Sequence, residues 1–184
     1  GPYEKRICTE VLDPLYARAL WLESGATRLV IITADVCMID LQTHEAVTAT
    51  LRSECGIEPS HVMVAASHTH SGPATTTTIA WGRPDPAYVA ALPGLYAKAA
   101  MSARASAVPA KIGAARARIT DVGVNREQPA LAPLDTAAQL LRVDRRDGTP
   151  LAALYNFGAH GVARFPFTSR ISADKDSGSS RASC

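Results

Sequence analysis

Aromatic side chains are scarce in this chain, at 5% of its 184 residues. Long apolar runs are missing as well. None approaches the ~20 residues a helix needs to cross a bilayer, so no transmembrane segment is expected. Charge of one sign is not in excess: 19 basic and 17 acidic residues leave a formal net charge of +2. That near-balance implies no nucleic-acid or anionic-membrane partner. No glycine-rich phosphate loop is present, which argues against nucleotide binding of that kind. No Gly-x-Ser-x-Gly elbow is present either, so a serine nucleophile has little support. The four cysteines, Cys8, Cys37, Cys55 and Cys184, have no metal-type spacing. Cys37 and Cys55 lie in apolar surroundings and read as buried small hydrophobes, although spacing leaves a disulfide open. There is no initiating methionine and no signal peptide. Gly1-Pro2 reads as a cleavage scar from a tag, and the chain reads as a piece of something longer.

What is there is an ordinary globular mixture, 47% hydrophobic and 20% charged, long enough for one domain with a real core. Tyr16 to Glu23 and Arg28 to Val36 form an expected hairpin about the Ser24-Gly25 turn, with the second, β-branched strand central. Asp35, near the end of that strand, is either a polar anchor for a loop or part of a site. Leu41 to Cys55 has helical periodicity, with Gly56 as its stop. Val62 to Ala66 is a short buried strand. A second helix should start at Asp85-Pro86 and run to about Ser106, kinked or broken at Pro93-Gly94. Thr75 to Thr78 reads as a loop able to line a cleft. Further strands are expected at Ala110 to Thr120, Gln139 to Asp144 and Leu151 to Phe157, the last two joined through Asp147-Gly148. The expected class is α/β, a mixed sheet flanked by helices over residues 3–174, with residues 175–184 as a mobile tail.

The stretch with most chemistry is His61 to Pro73. The apolar strand runs into His68-Thr69-His70, and Gly72-Pro73 turns the chain. In a strand-like segment two residues apart point the same way, so both imidazoles could address one point. His160 also follows an apolar run and lies among small residues. His68, His70 and His160 make a plausible partial zinc shell, because neutral imidazole is a favoured zinc ligand. A catalytic zinc takes three protein ligands and keeps a position for water. Each histidine alone is as well explained as a hydrogen-bonded structural group. His44 and His61 read as surface residues. Arg126, after Asn125 in a polar loop, suits a carboxylate or an oxyanion.

Taken together, Ser67-His68-Thr69-His70-Ser71-Gly72-Pro73 resembles the signature of neutral/alkaline non-lysosomal ceramidases. Asp13 to Leu20, Val124-Asn125-Arg126, Asn156-Phe157-Gly158-Ala159-His160 and Ile171-Ser172-Ala173-Asp174 resemble further segments of that family, in order, from Asp13 to Asp174. The resemblance implies the N-terminal half of the ceramidase catalytic domain. It implies a zinc amidohydrolase that cleaves ceramide, or a related N-acyl lipid or small amide, into a sphingoid base and a fatty acid. By position, His68 and His160 would be zinc ligands. His70 would polarise the scissile carbonyl or shuttle a proton, and Arg126 and Ser71 would contact substrate. Family members complete the zinc shell with a glutamate and a tyrosine later in the chain, so weak or substoichiometric zinc is expected here. Gly161 stands where the family has proline, and Lys175 to Gly178 replaces its aromatic-Pro-Gly continuation. The family likeness fits a secreted or periplasmic setting. Two other readings are a non-catalytic remnant with a partial metal site and another His-x-His metallohydrolase.

Overall fold

The computed structural model describes residues 7–77, 83–123, 125, 133–159 and 169–173. These fall into two compact units, one holding the residues up to 107 together with 169–173, the other residues 108–159.

The first unit is built on a hairpin of β2 (Ala17–Ser24) and β3 (Thr27–Ala34). Its turn places Gly25 at φ 58, a left-handed conformation that a residue without Cβ adopts freely. β3 is central, as its β-branched run suggests, because β4 (Val62–Ala66) pairs with it in parallel, Ala34 opposite Ala66. Parallel pairing requires a long crossover, and α1 (Leu41–Cys55) supplies it. That helix starts where the Asp40 carboxylate accepts the Thr43 N–H at 2.8 Å and stops at Gly56, with φ 63. A 3-10 turn, Pro59–His61, leads into β4.

α2 (Pro86–Ala105) is capped in the same way, Asp85 accepting the Tyr88 N–H at 2.9 Å with proline in the first turn. The expected break at Pro93-Gly94 does not occur. One helix runs through Pro93, although an interior proline costs about 3 kcal/mol. Tertiary burial outweighs that cost. Leu92, Tyr96, Ala97 and Ala100 join Trp21, Val30, Ile32, Val47 and Leu51 in one core, and each large side chain so buried contributes about 1.5–3 kcal/mol. Alternate β3 residues, Val30, Ile32 and Ala34, are buried, while Leu29 on the other face is exposed. The sheet is therefore backed on one face.

A short parallel pair, β1 (Glu10–Val11) with β8 (Arg170–Ile171), joins residues about 160 positions apart. No sequence pattern announces it.

In the second unit, β5 (Ala110–Arg118), β6 (Ala137–Arg145) and β7 (Pro150–Asn156) form an antiparallel meander. The β6–β7 turn is the expected Asp147-Gly148, with Gly148 at φ 92. Asp147 accepts from both the Thr149 N–H at 2.9 Å and its hydroxyl at 2.8 Å. Those bonds favour the ionised carboxyl and hold its pKa below the usual range. The mixed sheet expected from the sequence is β2-β3-β4. β5, β6 and β7 form a sheet of their own.

Candidate metal centre

β3 and β4 leave the sheet side by side at the edge where Ala34 faces Ala66. Two loops therefore travel together, residues 35–40 and residues 67–75. Ser67 N–H donates to the Ala34 carbonyl at 2.9 Å and His68 N–H to the Val36 carbonyl at 3.0 Å. Beyond the histidines, the buried Thr75 hydroxyl donates to the Met38 carbonyl at 2.6 Å. The first loop is anchored in turn by Asp35. Its buried carboxylate accepts the Tyr16 N–H at 3.1 Å and the Arg18 guanidinium at 3.0 Å. Of the two roles open to Asp35, anchoring is the one these bonds describe.

The imidazoles do converge, by a different route from strand alternation. The strand ends at Ala66, and His68 lies beyond it with φ 62. For a residue with a Cβ this left-handed conformation costs roughly 1–2 kcal/mol. Its effect is to turn the two rings edge to face, at 87° with centroids 4.8 Å apart. The Nε2 atoms come within 3.3 Å. His68 Nδ1 lies 2.7 Å from the Cys37 carbonyl. A carbonyl only accepts, so Nδ1 carries the proton and the lone pair of Nε2 faces His70. An imidazole fixed through its far nitrogen by a backbone carbonyl is the usual arrangement of a metal ligand.

Thr69, between the histidines, is 1% exposed and points the other way. Its hydroxyl donates to the Ser172 carbonyl at 2.7 Å. Ser172 N–H donates to the Ser71 carbonyl at 2.9 Å. The Ser172 hydroxyl and the Ala173 N–H both donate to Asp13, at 2.7 and 2.8 Å. Three separated segments thus meet under the histidine loop: Asp13, Thr69 to Ser71, and Ser172-Ala173. Gly72 fits closely here. A Cβ at that position would lie 3.4 Å from Leu15 and 3.5 Å from Thr69.

One donor escaped the sequence reading. Cys37, expected to be a buried small hydrophobe, is half-buried, and only Cys55 takes that role in the core. The Cys37 sulfur, one nitrogen of His68 and one of His70 lie within 4.8 Å of one another, a group able to hold a metal ion. Burial pushes the thiol pKa up. Its position three residues past the end of β3 was readable, but its pairing with a loop 31 residues later depends on the β3–β4 register. Ser71 is buried beside His70. His61 is exposed and His44 half-buried on α1, away from the group. His160 and Arg126 lie outside the described residues, as do residues 1–2 and the expected tail 175–184. Thr77 does line a cleft, an open space of about 700 Å³ bordered also by Asp40, Thr43, Arg83 and Pro93. Neither His68 nor His70 borders it, so the candidate site rests on donor geometry.

A sequence model of the family described as "Neutral/alkaline non-lysosomal ceramidase, N-terminal" matches residues 8–182. Two solved structures are similar. A ceramidase complexed with C2 has a TM-score of 0.83 and 22% identity, over 92% of this chain and 29% of that one. The neutral ceramidase from Pseudomonas aeruginosa has a TM-score of 0.81 and 23% identity, over 89% of this chain and 29% of that one. The chain thus spans under a third of the length of either. No curated protein matches it.

Proposed function

The chain belongs to the neutral/alkaline non-lysosomal ceramidase family, and from that premise we propose that it is the part of a zinc amidohydrolase that carries the histidine loop. The reaction is hydrolysis of the amide of ceramide or a related N-acyl lipid, giving a sphingoid base and a fatty acid. The observation carrying this reading is the approach of His68 Nε2 to His70 Nε2 at 3.3 Å, with His68 locked through Nδ1. With Nδ1 held by a backbone carbonyl, His68 presents Nε2 as a metal ligand does, and an ion bound there would lie beside His70. His68 therefore fits the ion.

His68 and His160 are the proposed ligands. When bound, zinc supplies a Lewis acid that polarises a carbonyl and makes water a better nucleophile. The remaining work falls to side chains. His70, beside the ion, orients the scissile carbonyl and passes a proton to the amine nitrogen as the C–N bond breaks. Arg126 holds the oxygen on which negative charge collects, and Ser71 completes the substrate contacts. The bonds of the Thr69 hydroxyl and the Ser71 carbonyl to Ser172 keep His70 in place during that transfer.

The test is turnover of a fluorogenic N-acyl sphingosine by the chain supplied with zinc. Release of product that stops on chelation and is absent in His70→Ala supports the reading. Full zinc occupancy with no turnover would instead make the chain a metal-binding remnant.

A further inference from the structure

The sulfur of Cys37 sits where the proposed chemistry has no use for it. Its one hydrogen-bond contact among the described residues is His68 Nδ1, at 3.7 Å. The proton of that nitrogen is already directed to the Cys37 carbonyl, a full ångström closer at 2.7 Å. The lone pairs of the sulfur are thus little engaged. The same residue therefore presents two groups to His68: a carbonyl that fixes the ring and a soft donor beside it. Sulfur and both imidazoles fall within 4.8 Å of one another, and the loop is pinned on either side, at Val36 by His68 N–H and at Met38 by Thr75. The backbone of Cys37 is thereby held while its side chain keeps the freedom of χ1.

We propose that Cys37 is a metal ligand, its thiolate joining the His68 imidazole on a zinc-like ion held beside His70. This rests on the metal reading above and goes beyond it. The thiol gives up its proton to solvent on binding and no redox change is involved. Such a set selects zinc, cobalt(II) or another thiophilic ion over magnesium or calcium. It also gives the ion a second donor from residues 37–70, beside His68.

Cobalt(II) added to the whole, chelator-treated chain separates the possibilities. The expected spectrum has visible ligand-field bands together with a near-ultraviolet sulfur-to-cobalt charge-transfer band. Cys37→Ser and Cys37→Ala, with unchanged far-ultraviolet circular dichroism, should lose the charge-transfer band, keep the visible bands and bind cobalt at least about tenfold more weakly. Visible bands in the parent chain without charge transfer would overturn the sulfur ligand and leave the metal site standing. A charge-transfer band surviving in both variants would also overturn it, by placing the sulfur at another cysteine. A chain that shows no cobalt bands at all would remove this proposal together with the metal reading beneath it.

Discussion

At the scale of single residues, position 68 carries two demands that conflict. Under the proposed function its imidazole must reach the ion, and its backbone must turn left-handed, with φ 62. Removing the ring separates them. His68→Gly and His68→Ala should both lose metal, but the glycine variant should be more stable than the alanine variant by about 1 kcal/mol, read by urea denaturation. Equal stabilities would mean that the loop relaxes once the ring is gone. Thr69 tests the underside of the loop. Thr69→Val deletes the hydroxyl that donates to the buried Ser172 carbonyl, and loss of that bond should cost about 0.5–1.5 kcal/mol. Residue type and spacing brought His68 and His70 forward as a pair, although each alone reads equally well as a hydrogen-bonded structural group. They did not reveal how the rings converge, since φ at His68 is set by its bond to Val36 and not by its neighbours in sequence. Cys37 was illegible as a donor for a related reason: nothing local connects it to His68.

Elements were read from the sequence with more success where local chemistry and burial agree. α1 and β4 appear at their expected bounds, because Asp40, Gly56 and the alternation of apolar residues act within a few positions of each other. Of the kink or break expected at Pro93-Gly94, α2 shows no break, because the buried stripe from Leu92 to Ala100 holds the helix together across a missing bond. The β6–β7 hairpin offers a pH test. Asp147 has its folded pKa lowered by its bonds to Thr149. Its contribution to stability is therefore present above the unfolded carboxylate value of about 3.9 and is lost as pH falls through the lower folded value. Asp147→Ala should weaken protection of the hairpin amides against hydrogen exchange at neutral pH. The difference from the parent chain should close in acid below that value. A gap that persists there would mean the neutral carboxyl serves the turn equally well.

For the whole molecule, the proposed metal would be linked to folding. An ion that binds only the folded chain stabilises it by mass action, ~2.7 kcal/mol when free ion is a hundred times Kd. Trp21 fluoresces from the core of the unit that carries the histidines, so zinc should shift its unfolding transition upward in the parent chain and leave it unmoved in His68→Ala. The same shift in both would place the ion elsewhere. At this scale the sequence was least informative. Its class was readable, but β1 against β8, and Asp13 against Ser172, are encounters between residues about 160 positions apart, and no periodicity encodes them.

Those encounters bear on the order of assembly. Thr69 and its anchor Ser172 are 103 residues apart, so on a ribosome the histidine loop emerges long before the segment that steadies it. The core around β3 and the two helices can form meanwhile from residues already made. Metal capture would then come after the hydrophobic collapse, at the moment Ser172 and Ala173 arrive to meet Asp13, which precedes all of these segments in the chain.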